Sequence, residues 1–574
     1  MSNKWVRQGG VVALLLVTML VVSEWLSFPN NSSPDNQPPA PEPGLTMLAV
    51  GDIMLGRDVA QKSATEGPDY PFVQVQNLTR SADLVFGNLE SPLVSAAHQH
   101  QVVSPDERYV FPAETEMSLA LKRSGFNLLS LANNHIYDFG KAGVEDTLSA
   151  LQSAGITSVG AGQQASEVRY LEQGGLKLAI VSATQVSPRQ PEQAGSMINL
   201  FNQVELLNQI KEARAQADVV IVALHWGEEY SAIPDQSERN FARQAAEAGA
   251  DLILGTHPHV IGNFEVINQK TVVAYSLGNF IFDSRFPPES QESVGLYLKL
   301  DKQGVASAIA IPLKIENDRP RPLLAQERED GLKKLSQKAD PAFQSEVVFW
   351  NGSEWQEGAA LAYRREALSG GTINLPASQI RQVRDLIKDY GGYSTGKVVN
   401  DLNQEPRTDE RIVLRNRQLS VWRPGQDGHW ENIWQTPPGW EVEQFSFGDA
   451  DEDGRPEVIF SLWKDDGKDD SGQMRSHPFV YGWRRNAFRP VWAGSALADP
   501  IKEFALADFD QDRHNELVVL EGNYADGRYA PARYVTLWRW MGWGYELLHR
   551  GAPGHYSDLD FVPNQPYAFF KRSE

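Results

Sequence analysis

Five apolar runs in the first half of the chain share one outline, a short hydrophobic stretch that breaks off into a polar cluster. They are AVGDIMLGR (Ala49–Arg57), DLVFGNLESP (Asp83–Pro92), LLSLANNHIYDFG (Leu128–Gly140), VVIVALHWG (Val219–Gly227) and DLILGTHPH (Asp251–His259). Unbroken runs such as VVIVAL and DLILG predict strands covered on both faces, hence a sheet with helices on either side. Between them, Ala142–Ala154 carries Val144, Leu148 and Leu151 on one helical face. A strand at Leu178–Val181, a helix near Leu206–Ala215 and a strand at Val219–Leu224 follow. That alternation predicts an α/β layered domain, with sites at the strand ends.

The pattern weakens between about Glu316 and Lys397, where charged stretches at Gln326–Lys338 and Ala377–Lys388 predict helices and no chemical motif occurs. This segment reads as a partly helical connector. The last third changes character. Asp449-x-Asp451-x-Asp453-Gly454-x-x-Glu457 recurs as Asp508-x-Asp510-x-Asp512-x-x-x-Glu516, and more loosely as Asp401-x-Asn403-x-Glu405-x-x-x-Asp409. Strands such as VIFSLW and LVVLEG follow two of these loops, and LSVWR, FVYGWR and VTLWRW supply Trp-bearing strands. A fragment at Asp558-x-Asp560 resembles a fourth copy. Alternating carboxylates closed by an acid at i+8 suit Ca²⁺ in a tight loop, with Gly454 supplying the turn. The arrangement resembles FG-GAP-type propeller repeats. The plainer reading has the acids fixing turns and the tryptophans filling a core. Three units and a fragment fall short of the usual 4–8 blades or so, which predicts a partial propeller or an open β array.

At the N-terminus Lys4 and Arg7 precede the apolar run Gly9–Val22, which continues less purely to Phe28. Ser23-Glu24-Trp25 is a poor cleavage site, and extension to Phe28 approaches the roughly 20 residues needed to span a bilayer. The prediction is an uncleaved, single-pass signal anchor with the bulk of the chain extracytoplasmic. Asn30–Gly44, rich in Pro, Ser and Asn, predicts an extended spacer. The expected organisation is therefore 1–28 anchor, 29–44 linker, 45–315 α/β domain, 316–397 connector and 398–574 β repeats. A formal charge of −21 speaks against nucleic acid as a partner. With no cysteine in 574 residues, disulfides, thiolate metal sites and lipidation are all excluded.

The polar clusters hold Asp52, Asn88, Glu90, Asn134, His135, His225, His257 and His259. Carboxylate, amide oxygen and neutral imidazole together suit borderline divalent ions such as Mn, Fe or Zn, one or two of them. Paired metals generate a nucleophile from water and neutralise phosphoryl charge, so hydrolysis is the expected chemistry. Taken singly each residue has a bland role: Asp52 as a turn cap, Asn134 in a left-handed turn, Asn88 bonded to its own backbone, His225 as a satisfied core imidazole. Taken jointly, the site is favoured.

The stretches GDIMLGR, GNLESP, NNHIYDFG, HWG, GTHPH and SLGNF resemble, in order and spacing, the CapA-type poly-γ-glutamate capsule biosynthesis proteins, whose core is similar to the calcineurin-like metallophosphoesterase fold. The resemblance runs from about Leu45 to about Leu313 and implies an α/β/β/α layering. By position it implies Asp52, Glu90, Asn134, His225, His257 and His259 as metal ligands, Asn88 as a weaker one, and His135 as proton donor or charge stabiliser. Arg57, Asn133 and Asp138 become substrate-binding candidates. Met54 stands where the working phosphoesterase pattern has a ligand His and Asn88 where it has the bridging Asp, and both departures weaken metal binding. Two functions result. One is a membrane-anchored metallohydrolase acting on a phosphoester or an anionic envelope polymer. The other is a non-catalytic component that binds or exports such a polymer alongside the capsule synthesis machinery.

Overall fold

The computed structural model describes residues 44–574 except 104–108, 189, 196, 324–325, 351–354, 366–397, 401–408, 416, 425–429, 452–454, 456, 466–473, 485–486, 495–498, 508–513, 529, 543, 562–566 and 574. The expected anchor, the linker up to its last residue, the helix at Ala377–Lys388 and the loop Asp401–Glu405 lie outside the described residues. Among the described residues no helix is long and apolar enough to cross a membrane.

The fold is mixed α/β with several sheets and a mostly β C-terminal region. Strand Gly44–Ile53 shows how sequence period becomes architecture. Its odd positions Leu45, Met47 and Ala49 enter one buried cluster, with Phe86 and Leu128 from neighbouring strands. Its even positions Leu48 and Val50 enter another, with Val59, Leu121, Val144 and Leu151 from the helices Arg57–Glu66, Met117–Arg123 and Gly140–Ser153. This is the two-residue alternation of a strand buried on both faces. It pairs in parallel with Leu84–Leu89 and Asn279–Ile281, and antiparallel with Glu292–Asp301. Leu128–Ser130 and Thr157–Val159 extend the parallel side.

A second sheet runs in the order Phe264–Ile267, Thr271–Ala274, Leu252–Thr256, Val219–His225, Leu176–Thr184, Arg169–Gln173. Leu178, Ile221, Leu252 and Leu254 share the cluster of Leu45 and Met47. Val181, Val220, Val222 and Ile253 instead meet Leu206, Ile210, Phe241 and Ala245 of the helices Gln203–Arg214 and Gln236–Ala248. Helix Gln236–Ala248 starts at a capping box of Asp235 and Glu238 and stops at Gly249, where φ is 114°.

The segment read as a connector contains the helix Gln326–Ser336 and, beyond the sequence expectation, two strands, Gln344–Trp350 and Trp355–Arg364. The second pairs with Ser307–Ile309 of strand Gly304–Glu316, so the first sheet continues into this segment. Three four-stranded antiparallel sheets follow, spanning Val398–Gln435, Glu441–Ala493 and Ile501–Arg550. Strand Glu441–Gly448 lies against Ile501–Ala507, which lies against His555–Phe561. The last strand, Tyr567–Ser573, returns to pair with Gln344–Trp350. A further four-stranded unit is thereby built from two segments more than 190 residues apart in sequence.

Candidate metal centre

The two sheets bring polar residues from the ends of five strands to one place. Asp52 sits at the end of Gly44–Ile53, and a Cβ at Gly51 would lie 1.8 Å from the Gly278 carbonyl oxygen, so only glycine lets SLGNF run beside it. Glu90 follows Leu84–Leu89, its backbone N–H donating to the Ile53 carbonyl at 2.9 Å. His225 ends Val219–His225. His257 and His259 follow Leu252–Thr256 with φ of 99° and 59°. Left-handed backbone at two non-glycine residues is strain of the kind that persists at functional sites.

Asp52 accepts hydrogen bonds from the Asn88 amide (2.8 Å) and the His257 backbone N–H (3.2 Å). Its Oδ2 lies 3.5 Å from His259 Nδ1. His225 Nε2 meets Asn134 Oδ1 at 2.8 Å, and its Nδ1 faces Thr256 Oγ1 at 3.1 Å. Glu90 is fully buried and neither of its oxygens has a hydrogen-bond partner. Oε1 has His225 Nε2 at 3.8 Å and His135 Nε2 at 3.9 Å. His257 Nδ1 is likewise buried without a partner. Ligand atoms of Asp52, Glu90 and His259 lie within 4.8 Å of one another, as do those of Glu229, His257 and His259.

Burial pushes the Glu90 carboxyl well above its usual range, and the neighbouring Asp52 adds to it. Burial also pushes His225 well below the usual imidazole value, assisted by the other imidazoles, and His257 down to about 4. His259 goes the other way, to about 9, because Glu90 and Asp52 outweigh its burial. Burial thus disfavours charge on Glu90 until a cation compensates it. The orphaned Glu90 oxygens and His257 nitrogen, with hard oxygen and imidazole donors around them, fit a divalent cation.

His135 is held from behind. Its Nδ1 is 3.0 Å from Asp138 Oδ2, and its ring stacks on Phe111 with centroids 4.0 Å apart. With Nδ1 occupied, Nε2 faces the cluster. Asp138 and Asn133 are both fully buried. Asn133 donates to Asn88 Oδ1 (3.2 Å) and the Leu89 carbonyl (2.8 Å) and caps the backbone N–H groups of His135 and Ile136. Both side chains therefore lie behind His135 and Asn88, bonded to the residues that line the cluster. Arg57 is nearer the surface, ion-paired with Asp283 and lying 4.6 Å over Phe111 and 5.5 Å over Phe282. Phe282 in turn packs against His259.

Both departures from the phosphoesterase pattern have structural consequences. Met54 is fully buried in the core, its sulfur accepting from the Gly56 N–H at 3.1 Å. Asn88 points its amide nitrogen at Asp52 and at His225 Nδ1, 3.2 Å away, so it contributes a donor where a ligand oxygen would stand. Two neighbours were not singled out from the sequence. Asn279, inside SLGNF, is 2.9 Å from His259 Nδ1, and Glu229 follows HWG by two positions. An acid and an amide so close to matched motifs were the only available signals.

In the repeat region Asp449, Asp451 and Glu457 come together within 4.8 Å, while Asp453, Asp508, Asp510 and Asp512 lie outside the described residues. Glu516 is buried and pairs with Arg539 at 2.6 Å.

Comparison with known proteins places the chain in a family. Residues 46–284 match the model of bacterial capsule synthesis protein PGA_cap. The chain is 33% identical over 328 residues to the capsule biosynthesis protein CapA of Bacillus anthracis, covering 55% of this chain and 78% of that protein. It is 33% identical over 296 residues to the PGA biosynthesis protein CapA of Bacillus subtilis strain 168, covering 50% and 75%. A probable polyglutamine synthesis accessory protein of Mycobacterium tuberculosis is 30% identical over 284 residues, covering 42% and 74%.

Proposed function

We propose, because this chain belongs to the PGA_cap family of bacterial capsule synthesis proteins, that it serves capsule or poly-γ-glutamate production and that the cluster around Glu90 is a divalent-metal hydrolytic centre. The observation that carries the reading is Glu90 itself, fully buried, with both oxygens unpartnered and two imidazole nitrogens within 3.9 Å. A buried carboxylate left in that state is costly unless a cation completes it. Asp52, Glu90, Asn134, His225, His257 and His259 would hold the ion, with Glu229 beside them. Such an ion, Mn, Fe or Zn by donor type, supplies water activation and neutralisation of a phosphoryl or carbonyl oxygen.

The remaining chemistry belongs to the chain. Asp138 fixes the tautomer of His135 so that Nε2 delivers or holds a proton at the leaving group. Arg57, fixed by Asp283 and two aromatic rings, offers its guanidinium to an anionic substrate at the mouth. The substrate class is a phosphoester or an anionic envelope polymer. The two buried sheets with outer helices support a metallophosphoesterase-like α/β/β/α domain over 45–315. The four four-stranded units support an FG-GAP-like propeller-type region over 398–574 that borrows strands from 344–364. Lys4, Arg7 and Gly9–Val22 support a membrane anchor holding the rest outside, near the capsule synthesis machinery.

The test is elemental analysis of the purified protein, followed by assay against phosphoesters and acidic polymers with Mn, Zn and Fe. Bound metal with turnover supports the enzyme; absence of metal from protein prepared with each ion in excess overturns the centre. The Asn88 amide donor and the buried Met54 favour a second reading, a polymer-binding or export scaffold, which bound metal without turnover would select.

A further inference from the structure

The acidic loops of the last third carry the spacing of a cation-binding loop, and in two of them a described acid is bound by an arginine. Arg484 leaves the end of strand Met474–Arg484 and places one guanidinium nitrogen 3.1 Å from Asp451 Oδ2 and 2.8 Å from Glu457 Oε1. The second Glu457 oxygen accepts from the Ala450 backbone N–H at 2.9 Å. These carboxylates are two of the three whose ligand atoms converge. A Ca²⁺ bound between them would need the space that the guanidinium occupies.

In the next unit the acid at the same place is also bound by an arginine. Glu516, at the i+8 place of the second loop, is fully buried and takes two contacts from Arg539, Nε at 3.0 Å and Nη2 at 2.6 Å. Both arginines follow a tryptophan in the third strand of their sheet, Trp483-Arg484 and Trp538-Arg539. Sheet register sets the meeting: Glu457 pairs with Gly482, two residues from Arg484, and Glu516 pairs directly with Arg539. The first unit keeps the dipeptide as Trp422-Arg423.

We infer that in these two units the arginine of a recurring Trp-Arg dipeptide takes the place of calcium, so that Glu457 with Asp451, and Glu516, are neutralised by an internal cation and these sheets fold without a metal ion. A guanidinium delivers fixed charge and a planar pair of donors to a carboxylate, and it is always protonated. Because it is tethered, it also spares the loop any dependence on external ion concentration.

The experiment is thermal melting of the full-length protein in chelator and in millimolar calcium, repeated for Glu457→Gln and Arg484→Gln. The wild type should melt at the same temperature in both. Arg484→Gln should melt lower in chelator, since removing one partner of a buried pair exposes an uncompensated charge, and calcium should recover part of that loss. Terbium, sensitised by Trp483, should report the opened loop in Arg484→Gln and not in Glu457→Gln. A wild-type calcium shift that Glu457→Gln abolishes would overturn the inference, and so would an Arg484→Gln protein with undiminished stability in chelator. If Arg484→Gln fails to fold, the comparison of wild type with Glu457→Gln decides alone.

Discussion

Glu90 and Glu457 are both glutamates with no exposed surface, and they were treated in opposite ways. Glu457 has an arginine and a backbone N–H on its oxygens; Glu90 has nothing on either. In the α/β region the neighbouring nitrogen groups are titratable imidazoles, one held near 9 and another, near 4, neutral. In the repeat region they are guanidinium groups that never lose charge. The difference separates a cluster whose buried acid is left unpartnered, as the proposed metal centre requires, from an acid bound by a side chain of its own sheet. Buried carboxylates alone do not identify a metal site; the identity of the nearest cation does.

The comparison breaks first at the imidazoles. Replacing His257 and His259 together by Ala should abolish transition-metal binding, since two imidazole nitrogen donors are lost. Unchanged metal content on elemental analysis would remove the basis for reading the α/β cluster as open. If the cluster is hydrolytic, His135→Ala should lower turnover by roughly two to four orders of magnitude with metal content intact, the usual range for a positioned proton-transfer group. A parallel loss of metal would make His135 a ligand instead.

Glu90→Gln sharpens the contrast on stability. Removing an unpartnered buried charge should raise the stability of the metal-free protein, by about 1–3 kcal/mol on the scale of an unsatisfied buried group, while weakening stabilisation by added metal. Chemical denaturation with and without chelator measures both. A destabilised metal-free variant would mean that Glu90 has a partner after all.

The smallest effect concerns pH. Burial pushes Glu457 up to about 7 in spite of Arg484, from an ordinary 4.5. A folded-state value above the unfolded one contributes stability that is fully present below 4.5 and fades as pH rises through about 7. Glu457→Gln should therefore flatten any fall in melting temperature between about pH 5 and 8. An unchanged slope would assign the fall to other groups.

Much of this architecture was legible along the chain. VVIVAL and DLILG announce strands buried on both faces, and they are; Val144 and Leu151 announce the helix Gly140–Ser153, which buries both. The strand-end acids and histidines were visible as a set because their motifs share one outline. Less legible were residues whose role is to hold others. Asn133 and Asp138 are substrate-binding candidates in sequence, and only the structure shows them fully buried and bonded to their neighbours Asn88 and His135. The strands at 344–364 were missed because they are held by remote pairing, the first with Tyr567–Ser573 at the far end of the chain and the second with Ser307–Ile309.

Local period and residue type, which are properties of neighbours in sequence, determined by themselves the strands, the helices and the donor chemistry of the site. Tertiary structure alone decided which donors meet and which stay unpaired. Asp52, Glu90, His225 and His259 converge from strands up to 207 positions apart, and Arg484 reaches Glu457 through sheet register, 27 positions away. Charge compensation in a buried site depends on distances of a few ångströms between such remote groups, because electrostatic interaction falls with separation and rises as water is excluded. No reading along the chain contains those distances.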